Sequence, residues 1–419
     1  MKKKIYQVEE KVPSGLFIPL SIQHTFAMFG ASVLVPLILN IDAGIVLLMN
    51  GIGTLLFIVI TKGKAPAYLG SSFAFLAPAT AVIAKSGIEY ASGAFVVVGL
   101  LGCILAYIIF KYGTDWIDIV LPPAAMGAVV ALIGFELATA TVHGGTIGAN
   151  LMTDTRTSVD IIVFAVTIAT AVIGSVAFKG FLSTITILIA IIVGYITAAI
   201  LGTVDFTPVL QANLFTFPKF SAPRFNVQSI LTMLPVLLVI TSEHISHQVV
   251  TSNIIGKDLL KDPGLHRSIF ADNFSTALSG LVGGVPTTTY GENIGVMAIT
   301  GVYSVQVIRG AAIISILMAF VGPLAAFITT IPGNVIGGVT FLLYGMIGTS
   351  GIRLLVDQRV DYSKVTNLIL TSIVFVTGLS GLAINFMGVE LKGMVLASVF
   401  AVAISLIFYI MKSLNIINE

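Results

Sequence analysis

Charge is what this chain has least of. Only 10% of its 419 residues are Asp, Glu, Lys or Arg, against roughly a quarter in a soluble domain. That leaves too few ionic groups to cover a water-exposed surface. The 21 basic and 19 acidic residues nearly cancel to a net charge of +2, so bulk charge gives no sign of a nucleic-acid partner. The one cysteine, Cys103, excludes an intramolecular disulfide and any cysteine-based metal centre. Lying within AFVVVGLLGCILAYIIF, it reads as a small packing residue. No GxSxG, Walker or dinucleotide-binding pattern stands in a strand–helix context. His244 and His247 lack a third partner for zinc. An intramembrane enzyme would need a nucleophile–base pair or a metal set, so the chain does not read as an enzyme, and no cofactor is expected.

Apolar residues, by contrast, make up 57% of the chain, and its mean hydropathy is +1.05. The fold class that follows is an all-α polytopic membrane protein. Stretches able to cross about 30 Å of hydrocarbon fall near 16–38, 45–61, 69–84, 91–110, 119–142, 158–178 and 181–201. A second set falls near 229–252, 269–285, 287–302, 305–331, 334–356, 363–384 and 388–411. Fourteen segments in two sets of seven are therefore expected. With the N-terminus placed in the cytoplasm, 16 Lys and Arg fall on that side. Five, namely Lys85, Arg156, Lys219, Arg224 and Lys392, fall outside. This asymmetry matches the bias that orients membrane proteins and puts both termini in the cytoplasm. The expected organisation is a tail at 1–14, a first repeat at 15–201, an outer loop at 202–228, a second repeat at 229–411 and a tail at 412–419. The opening Met-Lys-Lys-Lys leads into YQVEEKVPSG rather than an apolar signal core, so it reads as part of the first tail.

Seven is odd, so a duplicated seven-segment unit must insert upside down the second time, as in many carriers with a site near mid-membrane. Gln23-His24 and Glu243-His244 are 220 positions apart, and so are Pro66 and Pro286, a register that aligns Ser72 with Glu292. Segments three and ten, PAYLGSSFAF and PTTTYGENIG, are poor helices. Proline removes a donor and drives its predecessor to extended backbone, and threonine favours the same geometry. Each segment is expected to enter as a short strand and turn helical near Phe73 or Glu292. Backbone of this kind cannot face lipid, so it must lie inside the protein, where the two strands can pair. Two half-helix N-termini would then offer free N–H groups to a ligand.

Glu243 and His247 are four apart and share a helix face. A carboxylate in a membrane segment costs about 2.5–3.5 kcal/mol on insertion scales, which makes a functional role for the pair more economical than a structural one. Glu292 fits a site, or simply a cap on its own helix. Gln23 and His24 fit an inter-helix hydrogen bond as well as support for a site. Tyr290 and Tyr344 fit a pocket wall and ordinary membrane aromatics equally. Asp272-Asn273 reads as a packing or helix-end polar cluster, and Glu136 and Asp160 as solvated acids near segment ends. His143 and His266 are given no role. Among functional classes, a channel is disfavoured because the polar residues cluster in two places instead of lining successive turns of a pore. An anion carrier is disfavoured because two glutamates would repel its substrate.

SEHISHQVVTSNIIGKDLLKDPGLHRS, TTTYGENIGVMAITGVYS and LLYGMIGTSGIR, with QHTFAMFGASVLVP and LGSSFAF, resemble the nucleobase–cation symporter-2 family (nucleobase–ascorbate transporters). The likeness runs from about Pro13 to Met411 and is strongest to the bacterial branch that carries uracil. It implies a seven-plus-seven inverted repeat, with a core domain of segments 1–4 and 8–11 and a gate domain of segments 5–7 and 12–14. It also implies proton-coupled import of uracil, with a purine carrier as the alternative, across the cell membrane by a protein that is often dimeric. By the same likeness Glu243 and Glu292 hold the base, His247 serves proton coupling with Glu243, and backbone at Phe73 and Gly291 faces the ring. Ser72, Tyr290 and Tyr344 lie nearby, and Gln23, His24, His244, Ser242 and Ser246 lie behind the site. Ser242 and Ser246 stand where the family often has Ala and Gly, and Gly301 stands where many relatives have Arg.

Overall fold

A computed structural model of the chain describes residues 5–138, 141–142, 148–386 and 389–417. His143 and the lysines at 2, 3 and 4 lie outside them. The elements of the first half are α1 (Ser14–Leu39), α2 (Ala43–Ile60), β1 (Leu69–Ser71), α3 (Leu76–Ser86), α4 (Ile88–Tyr112), α5 (Ile117–Val120), α6 (Pro123–Ala138), α7 (Ser158–Ala177), α8 (Phe181–Thr184) and α9 (Thr186–Ile200). After the short α10 (Thr207–Leu210) come α11 (Val227–Met233), α12 (Val236–Ile255), α13 (Leu265–Leu281), β2 (Thr287–Thr289) and α14 (Gly291–Thr300). The chain ends with α15 (Val305–Met318), α16 (Gly322–Thr329), α17 (Gly333–Asp357), α18 (Val365–Leu379), β3 (Ala383–Phe386), β4 (Val389–Lys392) and α19 (Gly393–Ser413). Among the described residues, seven helices are long and apolar enough to cross a membrane. The architecture is that of a mostly helical, multi-pass membrane protein.

Two sets of helices pack mainly among themselves. In the first, α4 lies along α13 and α2 along α15, with α1 beside α15. In the second, α6 lies against α17, α18 and α19, and α7 against α9 and α17. In lipid, helices associate by close backbone approach, which small residues permit. A Cβ on Gly99 of α4 would come within 2.6 Å of the Ala277 amide of α13, and one on Gly51 of α2 within 2.6 Å of the Ala312 carbonyl of α15.

The two short strands pair antiparallel, Leu69 with Thr289, Gly70 with Thr288 and Ser71 with Thr287. The ladder continues at both ends. The Ser72 amide donates to the Pro286 carbonyl at 2.8 Å and the Tyr290 amide to the Tyr68 carbonyl at 3.0 Å. The register corrects one expectation. β1 and β2 begin 218 positions apart, as do the first helical residues Phe73 and Gly291. Ser72 therefore corresponds to Tyr290, not to Glu292. The proline marker slips by two, and a two-residue slip keeps every side chain on its own face of the ladder.

Three further expectations change. The stretches 363–384 and 388–411 do not run as helix throughout, because an exposed hairpin, β3–β4, lies between α18 and α19. Glu136 is not a solvated acid: its Oε2 accepts the Met394 amide at 2.6 Å, a carboxylate set at the start of α19 where the helix dipole favours it. Asp160 forms a capping box with Thr157 and accepts Asn334 Nδ2 at 2.8 Å, so it starts α7 and ties it to α17. Cys103 is half-buried in α4, with Sγ 3.8 Å from the Phe270 carbonyl.

The α4–α13 contact leads to a stability prediction. Gly99→Leu should force these backbones apart at an overpacking cost of about 1–3 kcal/mol. Thermal unfolding of the purified protein in detergent should show a lower midpoint than the native chain. An unchanged midpoint would mean that the close approach is not needed.

Candidate functional site

The strand pair fixes where two helices begin. Beyond β1 the chain turns helical at Phe73, and beyond β2 at Gly291. The first turn of any helix leaves N–H groups without intrahelical partners. Tyr290, between β2 and α14, folds its ring over Gly70, where a Cβ would overlap it, and its hydroxyl donates to the Ser71 carbonyl at 3.1 Å. Glycine at 70 is thus required by the ring that covers it.

Next to this junction lies a cavity of about 770 Å³, within the usual size range for small-molecule sites. Glu243, Ser246 and His247 of α12 line it, together with Thr288, Thr289, Gly291 and Glu292 of the broken segment, and Phe73. Val130 and Ile133 of α6 face these residues, as does one side of α17. The two glutamates predicted from sequence therefore stand on a shared wall. Glu243 Oε2 is buried and accepts no hydrogen bond from the described residues. His247 Nδ1 lies 3.0 Å from Thr289 Oγ1, so β2 orients the imidazole on α12. A buried carboxylate oxygen beside helix-start amides and an oriented imidazole can grip a flat polar ring by its N–H and C=O edges.

The structure divides the other predicted residues. Tyr290 borders the cavity, but its hydroxyl is engaged with Ser71. Tyr344 does not border it. Its ring meets Phe73 edge-on at 6.2 Å and so backs the residue that does. Ser72 is buried in the ladder and does not border the cavity either. His24 Nδ1 lies 3.0 Å from Asn293 Nδ2, which also donates to the His24 carbonyl at 3.1 Å, an inter-helix tie between α1 and α14. Gln23 is buried beside it in α1. His244 points away from the cavity: its Nδ1 is 3.1 Å from Asp272 Oδ2 on α13, with both side chains buried. Asp272 is accordingly a packing group two turns into α13. Ser242 donates to the Leu238 carbonyl at 2.9 Å within its own helix, whereas Ser246 faces the cavity.

Sequence reasoning missed Thr288 and Thr289 as wall residues, because it took the threonines only as formers of extended chain. It also missed the face of α17 carrying Leu343, Met346, Ser350, Arg353 and Asp357. Their three- and four-residue spacing was the available signal, since it puts them on a single helix side.

Comparison with protein-family profiles matches residues 16–386 to the Permease family. The chain belongs to this family. The permease is 52% identical to the uracil permease of Escherichia coli (strain K12), over 99% of this chain and 96% of that one. It is 51% identical to the uracil permease of Paenibacillus larvae subsp. larvae, over the full length of both. Among solved structures, murine Solute Carrier 26 family member A9, an anion transporter in the inward-facing state, aligns with a TM-score of 0.73. That alignment covers 96% of this chain and 70% of the other at 10% identity, so the likeness is one of fold alone. The resemblance read from SEHISHQ and TYGENIG is borne out, and the permease is a transport protein rather than an enzyme.

The His247–Thr289 contact gives a testable consequence. Thr289→Val should lower substrate uptake by tenfold or less, matching a hydrogen bond worth about 0.5–1.5 kcal/mol, and Thr289→Ser should restore it. Uptake assays on cells with matched expression decide the point, and equal uptake by the Val variant would remove Thr289 from the site.

Proposed function

We propose that the permease imports uracil with protons across the cell membrane, through fourteen spanning segments arranged as a seven-plus-seven inverted repeat. The observation that carries this reading is Glu243 on α12 and Glu292 on α14 on a shared cavity wall in a chain 52% identical to a uracil permease. Uracil is flat and uncharged near neutral pH, with N–H donors beside C=O acceptors. The carboxylates accept from its N–H groups, and the helix starts at Phe73 and Gly291 donate to its carbonyls. His247, one turn from Glu243, takes part with it in carrying the proton, a role suited to imidazole.

The repeat is supported by packing. If segments two and four correspond to nine and eleven, a contact of segment two with eleven must recur as a contact of nine with four. The pairs α2–α15 and α4–α13 are those two contacts. The first helix set, with the strand pair, is taken as a core of segments 1–4 and 8–11. The second is a gate of segments 5–7 and 12–14, whose outer side offers a surface for a homodimer. The domain ranges 1–14, 15–201, 202–228, 229–411 and 412–419 follow from this reading. Both termini lie in the cytoplasm in it, and the cavity, which runs to Arg353, Asp357 and Gln358 at the end of α17, opens inward. Movement of core against gate would then expose the site to either side in turn.

Binding of labelled uracil to the purified protein tests the site. Glu243→Gln and Glu292→Gln should each weaken it by at least about tenfold, the loss of one charge-assisted bond worth about 1.5–3 kcal/mol. Native affinity in both variants would sink the assignment. Competition by unlabelled bases separates the readings, because displacement by xanthine or guanine but not by uracil would make the permease a purine carrier. For coupling, proteoliposomes given an inward proton gradient should accumulate uracil above the outside level, and collapsing the gradient should abolish the accumulation. Accumulation that persists without a gradient would exclude proton symport.

A further inference from the structure

The segment before α1 is not a free tail. Its backbone runs beside the turn between α14 and α15 in a parallel ladder, with a bridge between Tyr6 and Val302. The Tyr6 amide donates to the Gly301 carbonyl at 3.0 Å, the Tyr303 amide to the Tyr6 carbonyl at 2.9 Å, and the Val305 amide to the Val8 carbonyl at 3.0 Å. Ser304 Oγ donates to the Glu10 carbonyl at 2.6 Å and the Val12 amide to Gln306 Oε1 at 2.9 Å. Tyr6, Val8 and Val12 are buried, Tyr6 and Val12 in a small cluster with Val302 and Val307. From the same segment Glu9 reaches Lys257, just past the end of α12, at 2.8 Å. The Lys257 ammonium holds the Glu9 carboxyl below the usual carboxylate range. The pair is exposed, so it adds little by itself. The ladder and the buried side chains hold the segment in place.

What it touches gives it significance. α14 has ten residues, with Glu292 second and the cap Gly301 directly after the last. A helix of that length spans about 15 Å. It is held at its start by the β1–β2 ladder and at its end by Tyr6, so a shift at the far end moves Glu292. Lys257 follows the cap of α12, the helix that carries Glu243 and His247. One stretch of seven residues thus joins the distal ends of both helices that carry carboxylates to the cavity.

We propose that residues 6–12 are a strap that positions Glu292 against Glu243, so that substrate affinity depends on whether the strap is seated. Tyr6, Val8 and Glu9 are positioning residues that act through α14 and α12, with Gly301 seven residues past Ile294 and Lys257 four residues past Asn253, the last residues of those helices to line the cavity. Gly301, whose carbonyl accepts the Tyr6 amide, is where the chain takes a left-handed turn (φ +69°). A Cβ there would meet Ile5 at 3.6 Å, so the space for a side chain is bordered by the residue that leads into the strap.

The affinity arm of the test rests on the uracil reading, and a second arm does not. Val8→Asp places a charge in a buried position and should unseat the strap, making the bond after the exposed Lys11 cleavable by trypsin. In the full-length purified permease this variant should bind uracil at least about fivefold more weakly, the lower end of measured site-to-site couplings. The amides of 291–300 should exchange hydrogen faster, with or without ligand. Lys64→Gln, which breaks the neighbouring Lys64–Asp262 ion pair but none of the strap's hydrogen bonds, should change neither. A trypsin-sensitive strap with native affinity and native exchange would overturn the proposal, as would equal loss in Lys64→Gln. Should Val8→Asp not fold, Tyr6→Ala combined with Glu9→Gln is judged by the same criteria. If the native chain binds no uracil, the functional reading fails while the exchange data still decide the strap, and unchanged exchange in 291–300 rejects it.

Discussion

Unpaired backbone is what a membrane protein can least tolerate, because each N–H or C=O left without a partner in the hydrocarbon costs several kcal/mol. Two segments of this permease break their helices deep in the fold, and the structure meets that cost by pairing each break with the other. Leu69–Ser71 and Thr287–Thr289 complete one another's ladder, and the bonds from Ser72 and Tyr290 extend it by a residue at each end. Everything at the candidate site follows from that pairing. It sets the points at which two helices restart, and it brings Thr289 beside His247. It also requires glycine at 70, under the Tyr290 ring.

The same geometry explains why neighbouring residues in SEHISH have opposite fates. Successive residues on a helix point about 100° apart, so Glu243 and His247 share a face while His244 cannot. His244 turns instead to Asp272 on α13 and ties α12 to the helix before β2. Asn293 does the equivalent on α14, turning from Glu292 to meet His24. Each cavity-facing carboxylate is thus followed by a residue that anchors its helix to a neighbour. The polar groups that look redundant in the sequence hold the carboxylates at fixed positions.

Much of this was legible beforehand. Long apolar runs report spanning helices because hydrocarbon thickness sets their length. Pro66, Pro286 and the threonines report strands because proline drives its predecessor to extended backbone and threonine favours the same geometry. What stayed hidden was side-chain partnership across large separations in sequence. The carboxylates Glu136 and Asp160 look like ordinary segment-end acids, and only the fold brings Met394 to the first and Asn334 to the second. The β3–β4 hairpin was missed because AINF and VELK extend the apolar character of the flanking helices. Tyr344 was placed near the substrate by resemblance, yet it stands one ring back, behind Phe73. The α17 face was readable from its spacing, but nothing in the sequence says that α12 lies opposite.

The cavity follows the seam between the two helix sets, and the strength of packing differs sharply on its two sides. Within each set, backbones meet at glycine-lined contacts such as Gly51 against Ala312, where sliding would bring main chain into main chain. Across the seam, Val130, Ile133 and Leu343 face Glu243 and His247 over open space, so relative motion there separates side chains rather than breaking a ladder. On the glutamate wall the strand ladder holds one end of α14 and the Tyr6 ladder holds the other, which makes that wall the stiffer one. On the proposed reading, a binding site built this way would travel as a unit. In the proposed movement its carboxylates keep their spacing while the opposite wall, Val130 and Ile133 of α6 with the α17 face that runs from Leu343 to Arg353 and Asp357, approaches or withdraws.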